Sequence, residues 1–432
     1  MSDTFRELLH RVAAAQADER LPSVLAAVAR DGEMLWSGGR GDTGSGPPTP
    51  DTQYRIGSIS KTFVAVLVMR LRDEGRLRLT DTVEQHLTGS AVGGATIAQL
   101  LSHTSGLATE TPPPWWEGSS GDFRPAHNDL FWADPFRHPA GRRWHYSNTG
   151  YAVLGAIVGQ LRGQHWYDVL RTDVLAPLAM SRTTLLPQAP HALGWSVHPW
   201  ADMLLSEPLT DTGLMAPAGQ LWSTAADLIR FGDVLHGRCA DVVAADTIAE
   251  MRESASGEPD PNLSYGYGVM GQRNGSTTLY GHHGSMPGFV ASLLTDPAQG
   301  LSAVTFANST LSPAIVPLAV DLLRIVADRE PRMPAVWTGS PEAPELLELT
   351  GIWYRGALPF TLRLLGDNEL ELARVGAAGL VVRFRPEGDD TWIATTPGYT
   401  NGEILQVARD AAGRPTALDL GSIAFTRDLV RA

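Results

Sequence analysis

"YRIGSISKTF", residues 54–63, carries the one lysine of the chain: Lys and Arg total 34, and every other member of that set is arginine. Wherever a bare positive charge suffices, this sequence writes arginine. The exception at Lys61 therefore asks for a property that arginine lacks, and that property is the release of a proton. A guanidinium stays charged in proteins, whereas an ammonium that is buried or set near other cations can become a neutral base. Ser58 stands three residues earlier. The apolar run "SKTFVAVLVMRLRDEG" that closes at Gly75 predicts a helix over this stretch. At a spacing of i and i+3 the two side chains share one face, about 5–6 Å apart at Cβ. A serine hydroxyl becomes a nucleophile once a base takes its proton, and helix N-terminal amides favour the anion that attack creates. The pair reads either as a nucleophile with its base or as an exposed helix lysine beside an unrelated serine.

Bulk properties narrow the class. The chain has 432 residues and a net charge of −13, with 43% hydrophobic and 19% charged residues. This is a soluble globular composition with room for two or three domains. An acidic chain has no general field for a polyanion, which excludes nucleic acid and anionic membrane surfaces as partners. A single cysteine, Cys239, excludes an internal disulfide framework and a multi-cysteine zinc site. No histidine–carboxylate spacing reads as a metal site, and no glycine-rich phosphate loop is present, so no cofactor is expected. The N-terminus lacks a basic start followed by an apolar run, and no stretch reaches 18 apolar residues. Both point to the cytoplasm as the default location. The oligomeric state stays open.

On either side of the opening stretch the pattern alternates between strands and helices. An N-terminal helix precedes "LPSVLAAVARDGEMLWSGGRGD", two strands around a turn at Asp31-Gly32. Helical pieces fill residues 80 to about 185, interrupted by a loop-like 108–143, and "STAADLIRFGDVLHG" (223–237) is a further helix capped by Ser223 or Thr224. From about 264 strands return, and "PAIVPLAVDLLRIVADRE" is an amphipathic helix that packs back on them. Strands at both ends around a helical middle predict an α/β domain: an antiparallel sheet flanked by helices, with an all-helical insertion. Residues 1–330 form this domain. A proline-rich linker spans 331–345, and 346–432 holds short strands with turns every 8–12 residues, a small β-barrel.

Two other segments carry candidate chemistry. In "PAGRRWHYSNTGY" (139–151), Tyr146 precedes Asn148 by two residues just ahead of a helix. A tyrosine hydroxyl near an ammonium can shuttle a proton, and an asparagine can orient a substrate amide. The same stretch also reads as a helix-capping loop with Ser147 or Asn148 as cap. In "GHHGSMPGF" (281–289), His282 and His283 point to opposite faces of a strand, so at most one faces a site; His283 reads as solvated or capping. Gly284 allows close approach, and an amide on this strand can pair with that of Ser58 as an oxyanion hole.

Taken in order, serine-x-x-lysine, tyrosine-x-asparagine and histidine-x-glycine resemble the signature of the class C β-lactamase-like serine hydrolases, a superfamily with penicillin-binding proteins, D-aminopeptidases and esterases. "HTSGL" (103–107), "PLAMSRTT" (177–184) and "PAGQLWSTAADL" (217–228) resemble it too, and the likeness covers roughly residues 15–330. It implies a β-lactamase/transpeptidase-like fold and an acyl-enzyme on Ser58. Lys61 and Tyr146 would share the proton traffic, with the base in each step left open. His282 would be the fourth catalytic residue, standing where the lactamases carry a lysine, a departure more usual in esterase and peptidase branches. Asn148, Gly284 and Ser285 would bind substrate, Ser285 supplying the second oxyanion amide, and His103 would be structural. The substrate would be a small ester, amide or peptide entering a cleft between the α/β core and the insertion, with Trp115 and Trp116 either lining it or packing under their loop. "LTGIWY" (349–354) resembles the start of lipocalin-like barrels. Some relatives of this type are thioesterases that cyclise peptides, so acyl transfer to an amine is the alternative to hydrolysis. A catalytically silent ligand-binding protein is the other.

Overall fold

Alternating residues of the first strand send their side chains into two different cores. In β1 (Ser23–Arg30), Leu25, Ala27 and Ala29 join one buried cluster, and Val24, Ala26 and Val28 join another. This is the two-residue period of a strand covered on both faces. The computed structural model describes residues 2–429 apart from 256–259, 335, 340, 342, 377–380 and 397. Contacts divide the chain into two compact units, residues 1–332 and 333–432.

The first unit opens with α1 (Asp3–Asp18), capped by the Ser2 side chain, which accepts from the Phe5 amide. β1 turns at Asp31 and Gly32, with φ of +50° and +83°, into β2 (Glu33–Gly41). Positive φ at both central residues is the geometry that suits a strand hairpin. A two-residue strand, β3 (Tyr54–Arg55), leads into α2 (Ile59–Asp73). Further on come α3 (Asn148–Arg162), the single turn α4 (Ala216–Gly219), β4 (Trp222–Ser223), which pairs with β3, and α5 (Ala225–Leu235). The chain then returns through β5 (Leu263–Tyr265), β6 (Met270–Asn274), β7 (Thr277–Met286), β8 (Phe289–Asp296) and β9 (Leu301–Ala307), and finishes in α6 (Ile315–Arg329).

Among the described residues these strands form one seven-stranded sheet in the order β2-β1-β9-β8-β7-β6-β5. Each neighbouring pair is antiparallel. Leu8 and Val12 of α1 and Leu318 and Leu322 of α6 cover one face. The other face meets α2, α5 and the helical stretch between α2 and β5. That stretch consists mainly of helices and short 3-10 turns, and it also holds a small ribbon of Trp195–Val197 with Leu204–Ser206. α2 is apolar on all sides and twelve of its fifteen residues are buried. A helix with that pattern belongs in the interior, and it carries Lys61 there with it.

In the second unit, eight strands among the described residues, from Gly351–Arg355 to Ile423–Thr426, close into a barrel. Its core holds Trp353, whose indole donates to the Leu349 carbonyl at 2.7 Å, with Phe360, Phe384 and Phe425. Among the described residues no helix is long and apolar enough to cross a membrane.

Candidate active site

Ser58 occupies the residue before α2, and Lys61 lies in its first turn. The Lys61 side chain is fully buried. Its Nζ is 2.9 Å from Ser58 Oγ and donates to the Ala218 carbonyl at 2.6 Å. Burial pushes the ammonium down to about 7, while the carboxylates of Glu117 and then Glu110 pull it back up. The neutral amine is therefore well populated near neutrality. In that state Ser58 Oγ–H donates and the Nζ lone pair accepts, which is the first contact of a proton transfer.

The start of α3 brings the second set. Ser147 is its N-cap, its hydroxyl accepting from the Gly150 amide and donating to the Ala108 carbonyl. His103 Nδ1 accepts from the Ser147 amide at 3.1 Å, so His103 is structural, bonded at a helix start. These bonds fix Tyr146. Its ring lies 4.9 Å from Lys61 Nζ and packs on His103 at 4.1 Å between ring centres. The Tyr146 hydroxyl is in hydrogen-bonding reach of Ser58; burial outweighs that bond and makes the hydroxyl a far weaker acid than an ordinary phenol. Tyr146 therefore stands as a neutral hydroxyl that can relay a proton, not as a standing phenolate. Asn148 opens α3, 94% out of solvent, and gives its Nδ2–H to Glu110 Oε1 at 2.7 Å.

Strand β7 completes the cleft. A Cβ on Gly284 would fall 2.0 Å from the Ile56 carbonyl oxygen and 2.6 Å from the Ser58 amide nitrogen. One on Gly57, whose φ is +51°, would fall 2.5 Å from the Ser285 amide nitrogen. Two glycines thus let the 56–58 turn and β7 touch backbone to backbone, with the amide nitrogens of Ser58 and Ser285 both at that contact. Paired amides beside a nucleophile can hold a tetrahedral oxyanion. Ser285 itself is exposed.

His282 is buried, but it does not present a nitrogen to the cleft. Its Nδ1 lies 2.5 Å from the His283 carbonyl, which can only accept, so Nδ1 carries the hydrogen. Nε2 is then the acceptor for the Tyr265 hydroxyl at 3.1 Å. Burial first, and the nearby Lys61 second, hold the imidazole down at about 3. His283 is half-buried on the other face and meets Ser292 Oγ at 3.1 Å, so it is neither a solvated nor a capping histidine.

The sequence reading did not find Tyr265, the Ala218 carbonyl, Glu110 or Glu117. Glu110 accepts from the Trp116 indole at 2.5 Å as well as from Asn148. Trp116 is buried under its loop and Trp115 is exposed. No motif marks these residues. Of the four, only Ala218 falls within a quoted segment, "PAGQLWSTAADL". A cavity of about 840 Å³ lies elsewhere, against Ala152, Gly155, Trp166 and Pro217; none of Ser58, Lys61, Tyr146 and His282 lines it.

Residues 8–327 match the family described as Beta-lactamase. The chain belongs to that family. Penicillin-binding protein 4 from Amycolatopsis lactamdurans is 31% identical over 376 residues, covering 80% of this chain and 96% of that protein. The octameric penicillin-binding protein homologue from Pyrococcus abyssi superposes with a TM-score of 0.68 at 22% identity, over 99% of this chain and 100% of its own. The D-amino acid amidase from Ochrobactrum anthropi SV3 gives 0.66 at 22% identity, over 76% and 99%. These two likenesses establish the β-lactamase/transpeptidase-like fold. Residues 342–427 match a domain of unknown function, DUF7586.

Proposed function

We propose that this β-lactamase-family chain is a serine hydrolase that works through an acyl-enzyme on Ser58, with a small ester, amide or peptide as substrate. The observation that carries the reading is the fully buried Lys61 amine 2.9 Å from the Ser58 hydroxyl. Ser58 Oγ attacks the carbonyl carbon and its proton passes to Lys61 Nζ. The Ser58 and Ser285 amides hold the oxyanion. The tetrahedral adduct collapses as the bond to the leaving group breaks, and that group takes a proton from Lys61 by way of Tyr146. Water then gives a proton to the same amine and attacks the ester carbonyl; the adduct collapses as the bond to Ser58 Oγ breaks, Oγ takes the proton back from Lys61, and the acid leaves. His282 is a neutral buttress for β7, held by Tyr265, and stays outside the proton path. Asn148 and Gly284 line the acyl site. This activity resides in residues 1–330, joined by 331–345 to the barrel of 346–432.

A fluorophosphonate tests the reading. Intact mass should rise by one adduct, the peptide map should place it on Ser58, and Ser58→Ala should abolish it. An unlabelled parent protein would remove the acyl-enzyme from consideration.

A further inference from the structure

The cavity of about 840 Å³ beside α3 and α4 serves no step of the reaction above. Its volume is that of a site for a small organic molecule. Part of its lining is apolar: Ala152, Gly155 and Ala156 of α3, with Trp166, Leu214 and Pro217. Another part is cationic. Arg124 lines the cavity and is 5% exposed. Among the described residues its hydrogen bonds go to neutral oxygens alone. Nη2 donates to Thr111 Oγ1 and to the Pro112 and Pro114 carbonyls, and Nη1 to the Phe123 carbonyl. The one carboxylate whose charge reaches it is Asp129, which is exposed and accepts from the Ala126 amide.

Two buried nitrogens in this lining have no hydrogen-bond partner among the described residues: Arg124 Nε and, three residues on, His127 Nδ1. An unmet buried N–H is costly, and a buried cation without a counter-charge is costlier. Arg124 Nε–H requires an acceptor, and His127 Nδ1 can carry the imidazole hydrogen and do the same. A carboxylate supplies oxygens for both and the negative charge as well. Asp122 and Asp211 also line the cavity, but both are exposed; they accept from the Ser120 hydroxyl and the Gly213 amide. Water screens such charges far more than it screens Arg124.

We propose that this cavity is a second ligand site, separate from the acyl site, for a small carboxylate with an apolar body. The carboxylate meets Arg124 Nε and His127 Nδ1, and the body lies on Ala152, Trp166 and Pro217. The site does not depend on Ser58 being acylated. Isothermal titration of the full chain compares 3-phenylpropanoate with the uncharged 3-phenylpropan-1-ol. The acid should bind with a Kd below about 1 mM and about tenfold tighter than the alcohol, the scale of one half-buried charge pair. In Arg124→Gln the two should come within about twofold of each other. Arg124 also braces the loop at 111–114, so a second variant leaves it in place. Ala156→Phe adds bulk to the lining and should weaken the acid about tenfold or more, with the parental circular dichroism spectrum. Protein labelled at Ser58 by a fluorophosphonate should bind the acid as the unlabelled chain does. No binding of either compound, equal affinity for both, or parental binding by Ala156→Phe overturns the site. A preference for the acid that persists in folded Arg124→Gln overturns it too. Loss of binding on Ser58 labelling does the same, by placing the acid in the catalytic cleft. Failure of Ser58 to label counts against the acyl-enzyme reading instead, and the titrations of the parent and Ala156→Phe still decide the site.

Discussion

Tyr265 and His282 share a hydrogen bond of 3.1 Å, and His282 reaches the His283 carbonyl at 2.5 Å on its other nitrogen. Both rings are buried. Tyr265→Phe removes the donor while keeping the ring, so Nε2 becomes a buried acceptor with nothing to accept. The expected cost is about 1–3 kcal/mol of stability. Urea denaturation should show a lower midpoint with an unchanged slope, because the surface exposed on unfolding stays the same. A midpoint equal to the parent's would mean that the tyrosine does not hold this imidazole.

Buried neutral histidines also set a pH dependence. His282 is held near 3 and His283 near 4, chiefly by burial, and His103 falls well below the usual imidazole value for the same reason. In the unfolded chain each titrates near 6.5. Between that value and the folded values the unfolded state binds more protons, so stability rises with pH through this window and is lost as pH falls. These three groups contribute nothing to the slope above about pH 7. Lys61, lowered to about 7, adds a slope of the same sign between 7 and 10.5, so melting temperatures should fall from pH 8 down to pH 4, with the histidine share of the fall lying below about 6.5. In His283→Gln the fall should be shallower.

Lys61 tests the chemistry from two sides. Its ammonium is pushed down to about 7, so the acylation rate should climb with pH and level off above that value as the neutral amine fills. The groups around it that charge or titrate are Glu110, Glu117, His103, His282, Tyr146 and Tyr151. Lys61→Met should cut Ser58 labelling by about 10³-fold or more, as loss of an essential base does. It should also stabilise the fold by about 1–3 kcal/mol at pH 6, since an apolar side chain replaces one that is costly to bury charged. The gain should shrink as pH rises from 7 towards 10.5, because the folded lysine has already lost its proton there and the unfolded one has not. Lys61→Arg is the poorer test: at a fully buried position the larger guanidinium brings both misfit and an irreducible charge. A parent protein that labels faster at pH 6 than at pH 8 would contradict the whole assignment.

The residue types that carry the proposed reaction could be read from the sequence because their chemistry restricts substitution. A lone lysine three residues after a serine, a tyrosine two before an asparagine, and a glycine on a strand are local patterns with local reasons. The strand and helix order was legible as well, since the Asp31-Gly32 turn, the Gly75 stop and the Thr224 cap are short-range signals. What stayed hidden depends on contacts across long chain distances. Tyr265 and Ala218 act through a side chain and a carbonyl far from Lys61 in sequence, and a carbonyl carries no residue signature at all. Glu110 and Glu117 lie in a stretch without periodicity, where nothing in the pattern distinguishes a carboxylate facing the cleft from one facing water.

Gly284 gives the sharpest test of the oxyanion geometry. The two atoms that a Cβ there would strike, the Ile56 oxygen at 2.0 Å and the Ser58 nitrogen at 2.6 Å, are backbone. Neither can swing aside as a side chain could. In Gly284→Ala, either β7 or the 56–58 turn must therefore move, and the Ser58 and Ser285 amides move with it. A displacement on the order of 1 Å between paired donors and the nucleophile should lower the acylation rate by about 10²-fold. Overpacking should cost about 1–3 kcal/mol of stability. The loss of rate must exceed what partial unfolding explains, so labelling is measured at a temperature where circular dichroism shows the variant fully folded. Gly94→Ala is the matched control, because a Cβ there meets nothing within 4 Å, and it should label as the parent does. If Gly284→Ala also labels at the parental rate, the two amides do not form the oxyanion site, and the carbonyl must be polarised from elsewhere in the cleft.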